Sequence, residues 1–288
     1  MIAADVSPPD GETLPTASDN QTYFRVRVGR LTAPQALAHG VGVASRAIAD
    51  LAWAPVSASD MSLETTALCS SLVLFGEAAG GLLGGECPAP KVPLTQALAP
   101  AERWIVGHHV RFLIETCAAA SLWSAAMSVS EGDISSAVTR ISAATACVRG
   151  LPAAVAHACA MPRGHYRGVI RPGMAPPALD SPLSGRQHHT YKDLRRAIRQ
   201  LLKVLPETHH ALAARSRELA YARNQLLHAD LIDAERHISF ACTMVTTSRS
   251  LAQPAGSPID AVTELRHISH VRAATYAPLL DTATVVHA

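Results

Sequence analysis

The stretch from about Pro100 to Met127 limits what this chain can fold into more than any other. Val106, Val110, Leu113, Cys117, Ala120 and Met127 recur at helical intervals, with Ser124 the one small polar member of that face. Trp104, Phe112, Leu122 and Trp123 make the remaining faces apolar too. A helix that is apolar nearly all round has to be wrapped by others, so it is the central helix of a bundle. The rest of the chain supplies the wrapping. Helical periodicity begins at Ala33 and resumes in DMSLETTALCSSLVLFGEAAGGLL, where Ser62 and Glu64 mark a start. It returns over Asp133 to Arg149, Pro152 to Ala160 and Tyr191 to Leu205, then over Pro206 to Asp230 and Leu231 to Leu251 as two helices or one continuous rod, and last over Ile259 to Leu280. The expected fold is all-α: a single helical-bundle domain over residues 33–288, preceded by a mobile N-terminal arm of residues 1–32 rich in Pro, Asp and Ser. Within the arm, TYFRVRVGRL alternates weakly and reads as a short strand or an extended clasp on a partner subunit.

Composition removes several function classes. Hydrophobic residues make up 48% of the 288 and charged residues 17%, which excludes a disordered chain. A net charge of +2 lacks the field of a general nucleic-acid binder, so no nucleic-acid partner is expected. The N-terminus has neither the basic start nor the apolar stretch of a secretory signal, and no uninterrupted apolar run reaches about 18 residues. A cytoplasmic protein with no membrane partner is the expectation. The six cysteines form no CxxC pair and read as reduced, buried small hydrophobes.

The dinucleotide, Walker, HExxH, GxSxG and zinc-ribbon spacings are all missing, and what stands out is fourteen histidines. Histidines on facing apolar helices can hold a metal or a heme. At roughly 100° per residue, His109 lies about 70° from the centre of the Val106/Val110/Leu113/Cys117 stripe and His108 points nearly the other way, so His109 reads as the inward one. His228 and His237 are nine residues apart and would face about 180° apart on one helix, so only one can meet a given ligand. His237 shares its face with Leu219, Leu226, Phe240, Ala241 and Met244, whereas His228 shares a more polar one with Arg217, Tyr221, Asn224 and Ile232. Both stay open as metal ligands.

Residues 161–187, MPRGHYRGVIRPGMAPPALDSPLSGRQ, hold five prolines and four glycines, and so long an irregular loop in a compact domain is usually functional. Arg171 precedes Pro172, which restricts where its planar fork is presented; such a fork suits the carboxylate of an amino-acid substrate or a propionate.

The fragment YRGVIRPGMAPPALDSPLSGRQ (Tyr166 to Gln187) resembles the loop ending in Ser-Gly in tryptophan 2,3-dioxygenase and its bacterial relatives, the heme-dependent aromatic oxygenases that hydroxylate tyrosine-type substrates. The order of elements is similar over roughly residues 100–280: His108-His109, then Arg167 and Arg171, then Ser184-Gly185, then His228 and His237. The resemblance implies an all-helical heme enzyme in which His109 is the acid–base group, Arg171, Arg167, Ser184 and Gly185 bind substrate, and His237 or His228 holds the iron. It implies an oxygenase or peroxygenase of secondary metabolism, taking a small aromatic amino acid such as L-tyrosine with dioxygen or hydrogen peroxide, as a homodimer. Some relatives attach heme through a Cys four residues after a C-terminal His; here Val271 and Ala274 follow His267 and His270 at that interval, so a non-covalent heme b is expected. The competing readings are a cofactor-free helical interaction protein, a heme-dependent indole or tryptophan oxygenase, and a non-heme metal enzyme.

Overall fold

The computed structural model describes residues 15–26, 29, 31–78, 97–180, 182–183, 187–245 and 260–281, and among them every regular element is helical. In chain order the α-helices are α1 (Pro15–Tyr23), α2 (Ala33–Leu51), α3 (Ala58–Ala78), α4 (Pro100–Glu131), α5 (Ile134–Ala158), the single turn α6 (Arg163–His165), α7 (His189–Val204), α8 (His209–Arg215), α9 (Arg217–Met244) and α10 (Ala261–Tyr276), and the segment read as an irregular loop also holds a π-helical turn at Tyr166–Ile170 and a 3₁₀ turn at Pro172–Met174. The all-α, single-domain expectation holds. α4 has the length and composition of a membrane-crossing helix. Here α2, α3, α5 and α7 pack around it, and Val106, Val110, Ile114, Cys117 and Leu122 are at most 2% exposed.

Local chemistry sets the element ends. Thr32 caps α2 in a reciprocal capping box with Gln35; Asp133, Thr208, Ser216 and Asp260 cap α5, α8, α9 and α10 through their side-chain oxygens. Gly132, at φ 81°, closes α4 in the left-handed conformation that glycine adopts without strain. The two helices expected over Asp133 to Ala160 are one, with Pro152 inside it. A proline there forfeits one ladder bond, and burial of Leu151, Ala153 and Ala154 on either side outweighs the loss. The span Pro206 to Leu251, read as two helices or one rod, is broken at Ser216, whose extended backbone (φ −155°, ψ 114°) ends α8 and starts α9.

Close approach of α4 to α5 depends on Gly107: a Cβ there would stand 2.6 Å from the Ala158 Cβ and 2.7 Å from its backbone. Two buried charge clusters fix the helix register. In the first, His157 of α5 lies between Glu64 of α3 (2.8 Å) and Asp50 of α2 (3.0 Å), and Arg103 of α4 donates to Asp50 at 2.7 Å. Burial alone would lower the pKa of His157, but the two carboxylates raise it to about 9, so both ring nitrogens carry protons. In the second, Asp230 of α9 accepts from Arg195 of α7 and from Arg272 and Tyr276 of α10.

Two sequence expectations meet different surroundings. Inside the segment read as a mobile arm, Pro15–Tyr23 is helical and Phe24 is 1% exposed, packed with Trp104, Phe112 and Tyr166. Cys117 and Cys147 are buried as expected, while Cys69 and Cys242 are exposed.

Candidate active site

α4 is buried on two faces, and they do different work. Val106, Val110 and Cys117 face the main core. Trp104, His108, Arg111 and Phe112, spaced i, i+4, i+7 and i+8, face a cavity of about 560 Å³. α9 lines it through Asp233, His237, Phe240, Ala241 and Met244, and α10 through Glu264, Leu265, Ile268 and Arg272. Ala158 and Cys159 at the end of α5, with Tyr166, Arg171 and Met174 from the turns that follow it, close one end. A second hollow of about 700 Å³ between α3 and α5 is more open, and no histidine lines it, so the imidazole chemistry belongs to the first.

His108 is the histidine that α4 presents to the cavity. Its Nδ1 lies 2.8 Å from the Trp104 carbonyl, an acceptor, so Nδ1 carries the proton and Nε2 the lone pair. The ring stacks on Phe24 (4.6 Å between centroids, 24° between planes) and meets Trp104 at 4.2 Å. Burial, reinforced by the charge of Arg111 and opposed by the Trp104 bond, lowers its pKa to about 3, so it is neutral at physiological pH. His109 does not line the cavity: its Nε2 donates to the Phe24 carbonyl at 2.6 Å. The helical wheel takes the core stripe as its reference, and on a helix with two buried faces the inward side need not be the cavity side.

His237 does line the cavity, and the residue is exposed. Protein packed around the ring desolvates it and, with the charge of Arg111 and against the pull of Asp233, lowers its pKa to about 4. The imidazole is neutral, and neither ring nitrogen hydrogen-bonds to a described residue. His228 sits on the other side of α9, away from the cavity, with its Nε2 buried. The half-turn between the two histidines thus puts only His237 at the cavity.

Arg171 is on the cavity wall beside Tyr166, within hydrogen-bonding reach of its hydroxyl. Arg167 is exposed, donates to the Met244 carbonyl at 3.2 Å, and lies off that wall. Ser184 and Gly185 fall outside the described residues. Arg111 and Arg272 bring further positive charge, but both are engaged: Arg111 bonds Glu115 at 2.9 Å and Asp233 at 3.4 Å, and Arg272 bonds the Asp230 carbonyl and the Tyr191 hydroxyl at 3.2 Å each. Sequence reading passed over His108, Arg111 and Asp233. The signal was present, because Trp104, His108, Arg111 and Glu115 form one helical stripe in which polar residues interrupt an otherwise apolar helix. Among the described residues, no three His, Cys, Asp or Glu side chains converge as a preformed non-heme metal site needs.

A helical shell around a cavity lined by aromatic and aliphatic side chains, two neutral imidazoles and several guanidinium groups is the architecture of a helical protein that encloses a small molecule or cofactor. The chain belongs to the SfmD 3-methyl-L-tyrosine peroxygenase family, whose model matches residues 3–222. It is therefore an oxidoreductase of the peroxygenase kind. The matched span carries His108, Tyr166 and Arg171 and ends early in α9, before His228 and His237. No curated protein and no solved structure matches the chain.

Proposed function

We propose that the cavity holds a non-covalent heme b through His237 and that the enzyme uses hydrogen peroxide to hydroxylate the ring of a tyrosine derivative in secondary metabolism. The observation that carries this reading is the pair of neutral histidines that line one cavity, His237 from α9 and His108 from α4, each with a ring nitrogen that no described residue engages. The residues present fit the group. A neutral, uncommitted imidazole is an iron ligand, Trp104, Phe112, Phe240 and Leu265 provide aromatic and aliphatic walls, and Lys192 can meet a propionate. Bound there, a heme would supply the redox-active iron that activates peroxide.

The chain's own groups have separate tasks. Nε2 of His108, aimed by the Nδ1–H bond to Trp104, accepts a proton from peroxide and returns it to the departing oxygen. Arg171, held beside Tyr166, clamps the carboxylate of the amino acid so that its ring lies between the two histidines. The family's description names 3-methyl-L-tyrosine, and we take a tyrosine of that kind as the substrate class.

The test is to titrate heme into the purified protein, follow the Soret band, and then assay peroxide-dependent hydroxylation of 3-methyl-L-tyrosine by mass spectrometry. Wild type and His228→Ala are expected to give the band, and His237→Ala to lose it. A wild-type protein that takes up no heme overturns the reading, and a full band in His237→Ala moves the ligand elsewhere.

A further inference from the structure

Helix α1 ends in a reversal of chain direction that no glycine assists. Val26 N–H donates to the Gln21 carbonyl at 3.0 Å and Arg25 N–H to the Thr22 carbonyl at 3.2 Å, the two crossed bonds of a Schellman cap. Arg25 holds the left-handed position, at φ 53°, where a side chain costs about 1 kcal/mol that glycine would not. In such a cap the carbonyl of the preceding residue, Phe24, has no partner within its own helix. His109, 85 positions along the chain, supplies one: its Nε2–H donates to the Phe24 carbonyl at 2.6 Å. With the carbonyl held, the Phe24 ring is 1% exposed, stacked on His108 and edge-on to Phe112 at 5.3 Å.

We infer that His109 is a positioning residue: it clamps the end of α1 through the Phe24 carbonyl, so that the Phe24 ring fixes the plane of His108 and closes one side of it to water. The N-terminal segment thereby becomes part of the active site, and the two adjacent histidines divide the work. The inference rests on the reading of His108 as the acid–base group, and it deepens that reading.

The test uses the full chain without heme, labelled with ¹⁵N and ¹³C in histidine, with the His108 imidazole signals assigned by their loss in His108→Gln. Wild type should show one Nδ1–H tautomer whose carbon-bound protons carry the ring-current shift of Phe24. His109→Ala and Phe24→Leu should both move or split those signals, and His109→Gln, whose amide can still donate to the carbonyl, should restore them. In turnover, His109→Ala should lower kcat about tenfold with KM little changed, the size expected of a misaligned acid–base group. Unmoved His108 signals in both His109→Ala and Phe24→Leu overturn the inference even in an enzyme that turns over. Moved signals restored by His109→Gln uphold it even in a chain that binds no heme, in which case the proposed function fails. Should His109→Ala not fold, Phe24→Leu and His109→Gln decide.

Discussion

The Nδ1 proton of His108 goes to the carbonyl of Trp104, 2.8 Å away and one helical turn earlier on α4. A backbone acceptor that α4 would otherwise leave with a spare lone pair thus fixes the tautomer of the histidine that faces the cavity. Replacing that histidine by glutamine keeps a polar side chain of similar reach but removes the basic nitrogen. Turnover of His108→Gln should therefore fall roughly 10²- to 10⁴-fold while heme uptake stays near wild type. Product formation followed by mass spectrometry, beside a Soret titration, checks both halves; an unchanged kcat would return His108 to a packing role.

Arg171→Leu should chiefly raise KM, because a carboxylate clamp contributes binding to ground state and transition state alike. Arg167→Leu should leave KM alone, since that side chain is exposed and holds the Met244 carbonyl instead. Steady-state kinetics of both variants, with Arg171→Lys as a control for the planar fork, separate the two arginines. Equal KM values for wild type and Arg171→Leu would assign the clamp to another cation.

His157 predicts a pH dependence of stability. Its folded pKa is raised from 6.5 to about 9, so its contribution is complete below pH 6.5 and is lost as pH rises through 9. The shift corresponds to roughly 3 kcal/mol at most. Denaturant midpoints measured from pH 6 to about 9.5 should fall for wild type and stay nearly level for His157→Gln, which starts lower. Parallel curves would mean that the ring between Asp50 and Glu64 is not an imidazolium.

Gly107→Ala should destabilise the protein by about 1–3 kcal/mol, because the new methyl meets the backbone of Ala158, which a side-chain rotation cannot clear. Gly42, also inside a helix, has open space where a methyl would stand, so Gly42→Ala should be neutral or stabilising by up to about 1 kcal/mol. Thermal melts of the pair make the comparison, and similar Tm values for both would show that α4 and α5 can part at no cost.

How much of this was legible in the sequence depended on whether the deciding contact was local. The central place of α4 could be read because apolar residues on all of its faces demand neighbours, whatever those neighbours are. His237 could be preferred for its face because Phe240, Ala241 and Met244 lie on the same helix, and all three line the cavity. His108 and His109 could not be sorted in that way. Which side of α4 faces the cavity is decided by α9, α10 and Phe24, all distant in sequence. Pro152 misled for a related reason: its local cost is readable, whereas the burial that outweighs it belongs to the assembled bundle.

Asp230 gives the α10 side of the cavity a different character from the α4 side. α4 is gripped mainly by shape, through apolar side chains packed along its length, with the Arg103–Asp50 pair at 2.7 Å added near its start. α10 buries only Ala261, Val262, Ser269 and Tyr276, and Arg272 and Tyr276 bring it to a single carboxylate on α9 that Arg195 of α7 also holds. Apolar surfaces tolerate sliding, whereas hydrogen bonds to a carboxylate are directional. The wall bearing Glu264 and Ile268 therefore takes its alignment from directional bonds to α9, with Asp230 holding its C-terminal half and Glu235 accepting from Ser269 at 2.6 Å, and removing the buried charge would leave the end of the helix without its reference point.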